Sequence, residues 1–202
     1  MHPDFSTRET ELAYRKENAY ARVMFADAGQ NYVSARCLLL NGLLDSAVVL
    51  YCSSLEKAFK AYIFLSSGHM SKLKKMEKHN PYLLKEELKK YKDFGFDQYD
   101  EFIKNVSGFW YWRYHDKPEF NSKRSSIKQS ELKQWDLFWW FLFENVPFPP
   151  FIKYSLTFPS FALSKIDIPL FKYFKVWLLE NNEIFMSKLP KMMEEFERLK
   201  IE

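Results

Sequence analysis

The sequence predicts an all-α protein: an up-and-down helical bundle with a C-terminal helical extension. Three observations predict it. Only 5 of the 202 residues are glycine, and glycine is, after proline, the residue that most weakens a helix interior. Apolar residues recur at spacings of three and four along most of the chain, the period of a helix packed on one face. The interruptions fall at Asn41-Gly42, at Ser66-Ser67-Gly68 and at Pro147, Pro149 and Pro150, all residue types that end helices. A chain of this length suits one domain with a core that needs no covalent staples. Residues 1–146 read as the bundle. Residues 147–202 read as an aromatic, proline-containing connection followed by helices packed on the same domain.

Ser6 and Glu9 have the spacing of a capping box. A helix is expected from there to about Leu40, with Phe25, Ala28, Tyr32, Ala35 and Leu39 on its apolar side and a kink at Gly29. Asn41-Gly42 stops it, since both residues tolerate a left-handed backbone. The second helix carries a continuous stripe of Leu44, Val48, Tyr51, Leu55, Ala58, Tyr62 and Leu65. The short link makes the two helices antiparallel neighbours. Gly68 to Lys78 reads as a mobile polar loop.

Asn80 is placed to cap a short helix with Pro81 at its first position, where a missing N–H costs nothing. Leu84, Leu88 and Tyr91 would be its apolar side. Asp97 is expected to cap the next helix, whose stripe is Tyr99, Phe102, Val106, Trp110 and Arg113. Ser126 with Gln129 suggests another capping box. Leu132, Trp135, Trp139, Leu142 and Val146 then form a stripe that Phe138 and Phe141 widen, so that helix should be covered on more than one side. Phe151 to Ile168 reads either as a small hairpin or as an aromatic loop. Helical spacing returns at Leu170, Phe171, Phe174 and Leu178, breaks at Asn181-Asn182, and resumes in a last helix expected to begin near Pro190 and to carry Met192, Phe196 and Leu199.

The net charge of +4 is mildly basic. Lys72, Lys74, Lys75, Lys78, Lys85, Lys89, Lys90 and Lys92 outnumber Glu77, Glu86 and Glu87 in one segment, which either follows a phosphate backbone or is a solvated face. Cys37 and Cys52 fit no metal or redox spacing and read as small buried fillers in a reducing, cytoplasmic setting. The acidic and basic residues Asp4, Arg8, Glu9 and Glu11 leave no apolar stretch for a signal peptide. Leu137 to Phe143 is too short to span a bilayer. His2, His69, His79 and His115 do not pair at ligand spacing, so neither a metal nor a cofactor is expected. Phosphate-binding glycine loops and His-Glu-x-x-His, Cys-x-x-Cys or Gly-x-Ser-x-Gly motifs are missing.

Arg113, Tyr114, His115 and Asp116 form the tightest polar constellation in the chain. Arginine offers phosphate or carboxylate a fixed fork of donors, and histidine moves a proton near neutral pH. On one reading Arg113 and His115 cut RNA without metal, His115 as acid or base and Arg113 on the developing phosphorane charge, with Tyr114 and Asp116 as ligand contacts. On the other, Arg113 lies three residues past Trp110 on the apolar side and is a structural cation that needs a buried partner; Glu56 is the candidate. Lys57 and Lys60 line one helix edge, where they hold a nucleotide phosphate or are simply solvated. His79 contacts a ligand or orders the helix start at Asn80. Tyr111, Trp112 and Trp140 fall off the apolar stripes and are the candidates for base stacking.

With those residues in view, the chain resembles the HEPN superfamily of small helical bundles, named for nucleotide binding in higher eukaryotes and prokaryotes. Ser54-Leu55-Glu56-Lys57-Ala58-Phe59-Lys60-Ala61 resembles that family's Glu-x-x-x-Lys-Ala helix. His79-Asn80-Pro81-Tyr82-Leu83-Leu84 is similar to its His-Asp-Leu segment, with Asn80 in place of Asp. Arg113-Tyr114-His115-Asp116 is similar to an Arg-Tyr-Pro-Asp segment, with His115 in place of Pro. The likeness covers Ala21 to Val146. Many members are metal-independent RNases with about four to six residues between an Arg and a later His; here Arg113 and His115 are closer, and no His follows.

The resemblance therefore implies a HEPN-type bundle acting as a non-catalytic binding module for a nucleotide, an RNA or a protein partner. The partners it implies are a second copy in a homodimer and a nucleotidyltransferase-type protein. Two alternatives stand beside it: a metal-independent endoribonuclease with a site shifted to Arg113 and His115, and a scaffold that docks a protein through the C-terminal aromatic region.

Overall fold

A computed structural model of the chain describes residues 8–74, 77–109, 131–149, 152–153 and 175–201. It is an all-α bundle. The helices are α1 (Arg8–Glu17), α2 (Ala19–Leu40), α3 (Leu44–Ser67), α4 (Pro81–Lys89), α5 (Asp100–Gly108), α6 (Leu132–Asn145) and α7 (Glu183–Ile201). Single 3-10 turns at Glu77–His79 and Phe96–Tyr99 precede α4 and α5. Among the described residues, no helix is long and apolar enough to cross a membrane.

The α2–α3 hairpin is the frame. Gly42, at φ 79°, makes the reversal, and Leu43 N–H returns to the Leu38 carbonyl at 2.9 Å. Ser54 Oγ then donates to the Ala28 carbonyl at 2.7 Å, joining the two helices at mid-length. Helix α3 is also tied to α6: Tyr51 hydroxyl donates to the Trp135 carbonyl at 3.0 Å and Tyr62 hydroxyl to the Leu142 carbonyl at 2.5 Å. Burial pushes both phenols well above their ordinary value, so they act as neutral donors. Aromatic rings fill the space between these helices. Trp135 stacks on Tyr51 at 4.2 Å between centroids, and Trp139 on Tyr32 at 4.9 Å and Phe25 at 5.7 Å.

The pattern of α6 matches its expected stripe. Leu132, Trp135, Phe138, Trp139, Leu142 and Val146 are all buried. Trp140 is buried as well, edge-on to Phe185 of α7 at 5.1 Å. That removes it from the candidates for base stacking. Its ring lies off the main stripe because α7 supplies a second packing surface. Tyr111 and Trp112 lie outside the described residues.

Several boundaries differ from expectation. The first helical stretch is two helices that part at Asn18, whose Nδ2 donates to the Tyr14 carbonyl at 3.1 Å. Gly29 does not interrupt α2. It is buried beside Ala28, and tertiary packing overrides its weak propensity. The loop after α3 is pinned, not free: Glu87 of α4 accepts Lys72 N–H at 2.7 Å and also the Ser71 hydroxyl. Asn80 caps α4 as expected, accepting Tyr82 and Leu83 N–H at 2.9 and 3.2 Å. Tyr91 falls beyond the end of α4 and is exposed. Asp97 caps nothing. It sits within the 3-10 turn and pairs with lysines, while Tyr99 precedes α5.

At the C-terminal end, Asn181 adopts a left-handed φ of 52° and breaks the helical path. Helix α7 starts directly afterwards, not at Pro190, because Asn182 Oδ1 accepts Phe185 N–H at 3.1 Å and supplies the cap. Pro190 lies inside α7. Cys52 is buried, but Cys37 is only half-buried, so one of the two expected fillers is partly at the surface.

Candidate functional site

Helix α3 buries a carboxylate on the edge that faces the 3-10 turn before α4. Glu56 is 6% exposed. Its Oε1 meets Lys60 Nζ at 2.7 Å and His79 Nδ1 at 2.9 Å. The Lys60 contact follows from helix geometry, since residues four apart share a face. The His79 contact follows from the Asn80 cap, which fixes where the 3-10 turn ends. With Glu56 ionised, Nδ1 carries the proton and donates, and the imidazole is orientated by a buried acceptor.

The pair is open on one side. The His79 side chain is 32% exposed and that of Lys60 15%. Lys57, one residue after Glu56, pairs with Asp27 of α2 at 3.2 Å. Lys72 and Lys74 in the pinned loop are exposed, and Lys78 is half-buried. Lys60 and His79 therefore sit against one sealed carboxylate, with Lys57 paired beside them.

Of the residues singled out from the sequence, the structure brings Glu56, Lys60 and His79 together. It places Lys57 on the neighbouring edge against Asp27. Glu56 is buried as the expected pairing with Arg113 requires, and among the described residues Lys60 and His79 pair with it. Arg113, Tyr114, His115 and Asp116 lie outside the described residues.

Two further charged clusters escaped sequence reasoning. Arg36 of α2 is fully buried. Its Nη1 donates to Asp136 Oδ2 of α6, its Nε to the Trp177 carbonyl at 3.1 Å, and its Nη2 to the Glu180 carbonyl. Tyr32 hydroxyl donates to Asp136 Oδ1 at 2.5 Å and accepts from Asn182 Nδ2 at 3.2 Å. Burial pushes the Asp136 carboxyl above its ordinary value, against the opposing pull of Arg36 and Tyr32. A signal for this cluster was available: Arg36 lies four residues after Tyr32, and Asp136 three before Trp139, both on apolar stripes.

The second cluster joins α4 to the next turn. Lys85 Nζ bonds to Glu86, Asp97 and Asp100. Those three carboxylates come within 4.8 Å of one another, and the ammonium of Lys85 is the cation they share. Burial opposes its charge, yet the bonds from Asp100, Glu86 and Asp97 more than offset that and hold Lys85 well above the ordinary lysine range. Hydrogen bonds from Lys89 and Lys85 in turn hold Asp97 below its ordinary value of 3.8. A depressed folded-state value means the stabilisation is present above the unfolded value and lost as pH falls through the folded one. Wild type should therefore lose stability on acidification below about pH 4 by more than Asp97→Asn does. Denaturation midpoints of both proteins across that window check this, and parallel curves would remove Asp97 as a contributor.

Comparison of the chain with protein-family models, with curated proteins and with solved structures returned no match.

Proposed function

We propose that the chain is a non-catalytic binding module of the HEPN type, holding the phosphates of a nucleotide or RNA along the α3 edge. One observation carries the reading. Glu56 and Lys60 from the Glu-x-x-x-Lys-Ala helix and His79 from the His-Asn segment, 23 residues from Glu56, meet on a single oxygen. Two of the three stretches that carry the family resemblance thus join in one charged cluster. Lysine is a natural phosphate donor, and the buried carboxylate sets the positions of Lys60 and His79 without reaching the surface itself.

The test is fluorescence anisotropy of a labelled single-stranded RNA oligonucleotide against the full chain over a salt series. Affinity should fall as salt rises, by roughly 0.7 in log–log slope for each phosphate neutralised. Lys57→Ala with Lys60→Ala should weaken binding by about tenfold and flatten the slope. Lys57→Ala alone should leave the thermal melt close to wild type, since its partly exposed pair with Asp27 contributes only ~0–1 kcal/mol, whereas Lys60→Ala should lower it, because it takes a partner from a buried carboxylate. Unchanged affinity in the double variant would remove this edge from consideration.

A further inference from the structure

The two groups that share Glu56 differ in what they offer a ligand. A carboxylate only accepts hydrogen bonds, so the neutral imidazole of His79 gives its Nδ1 proton to Glu56 Oε1 at 2.9 Å. Nε2 is then left with a lone pair and no proton. Among the described residues nothing else bonds to the ring, and Nε2 is open to solvent. The buried carboxylate thus fixes the tautomer and turns an acceptor outward. Lys60 Nζ uses one of its donors on the same oxygen, at 2.7 Å. An ammonium has three donors. Lys60 has no further partner among the described residues, and its side chain is 15% exposed.

An outward acceptor and a partly exposed ammonium therefore hang from one oxygen. A phosphate alone matches half of this arrangement. Its oxygens suit Lys60, but they offer no proton to Nε2 and meet its lone pair with their own. The full complement is a hydroxyl proton beside an anionic oxygen. A ribonucleotide within a strand has that pair, because its 2′-hydroxyl sits on the carbon next to the one that carries the 3′-phosphate. The 2′-hydroxyl is the group by which a protein tells RNA from DNA. Deoxyribose brings the phosphate without the proton.

We propose that His79 Nε2 accepts the ribose 2′-hydroxyl of a nucleotide whose neighbouring phosphate lies on Lys60, so that the α3 edge takes RNA in preference to DNA. The inference rests on the reading of this edge as an RNA site, and adds the sugar to what it recognises. Glu56 acts as a positioning residue, holding the ring so that its acceptor faces the strand.

The experiment is fluorescence anisotropy of the full chain with three labelled oligouridylates of equal length and charge, in ribo, 2′-fluoro and 2′-deoxy form. Mildly alkaline buffer keeps the imidazole neutral. The 2′-fluoro sugar keeps the shape of ribose but has no hydroxyl proton. The ribo form should bind about threefold to tenfold more tightly than either of the others, the worth of one neutral hydrogen bond. His79→Ala should bring all three to one affinity and leave the salt slope unchanged. The three ligands on the unaltered protein decide the matter whether or not that variant folds. Equal affinities with the salt dependence retained would overturn this inference and leave the phosphate reading standing. No salt-dependent binding of any of the three would end both. Tight binding of the 2′-fluoro form would show that sugar shape, not the hydroxyl proton, is read. A preference for the ribo form that persists in a folded His79→Ala would take the role away from His79.

Discussion

Arg36→Met is expected to destabilise the protein by ~3–5 kcal/mol, the cost of stranding a buried charge. The substitution leaves Asp136 inside the bundle with only the Tyr32 hydroxyl for support. It also strips a donor from the Trp177 carbonyl, inside the helical segment at 175–179, and from the Glu180 carbonyl just after it. Natural domains have about 5–15 kcal/mol in total, so the variant should sit close to the unfolding threshold at room temperature. Asp136→Leu added to Arg36→Met should recover a sizeable part of the loss, because an apolar replacement for both members of a buried pair is often tolerated. Urea denaturation of the single and double variants measures both quantities. A loss under about 1 kcal/mol for the single change would mean that the cluster is hydrated, and not sealed as described.

Trp139→Ala should cost about as much, ~3–5 kcal/mol, for a different reason. Trp139 is 1% exposed and stacks between Tyr32 and Phe25, with Phe25 also in contact with Tyr62 and Phe148. Deleting the indole leaves a cavity bounded by the α2 rings of Phe25 and Tyr32 that cannot collapse without drawing α2 and α6 together. Leu137→Ala on the same helix is the control. It is 40% exposed, and the expected change is within about 0.5 kcal/mol. Denaturant midpoints of the pair separate packing loss from altered helix propensity. Equal effects at the two positions would show that the interior of α6 is not packed as described.

Much of this architecture was legible because helices advertise themselves twice, by periodicity and by their ends. The stripe from Leu44 to Leu65 and the Asn41-Gly42 and Gly68 stops placed α3 within a residue or so of its observed limits. Asn80-Pro81 did the same for the start of α4. Periodicity says nothing about a break that keeps the same face buried, so the parting of α1 from α2 at Asn18 went unseen. Proline looked like a beginning at Pro190, but the asparagine cap eight residues earlier starts the helix and α7 accommodates the missing N–H in its interior.

The candidate site was half legible. Glu56, Lys60 and His79 could each be picked out by type and position, yet their meeting on one oxygen depends on how the 3-10 turn packs against α3. Arg36 and Asp136 were harder. They are 100 residues apart in sequence, and each alone resembles an ordinary charged residue that strays onto an apolar stripe. Only the packing of α2 against α6 shows that the two strays answer each other.

Tyr32 and Arg36 reach across 150 and 144 residues to Asn182 and Glu180. A ribosome must therefore pass residue 180 before the α2–α3 hairpin can satisfy its innermost guanidinium. Until then the emerging bundle holds an ionic knot with missing strands, and such distant closures are the slow ones in folding. Chains terminated before Trp177 would lack both carbonyl acceptors of that guanidinium.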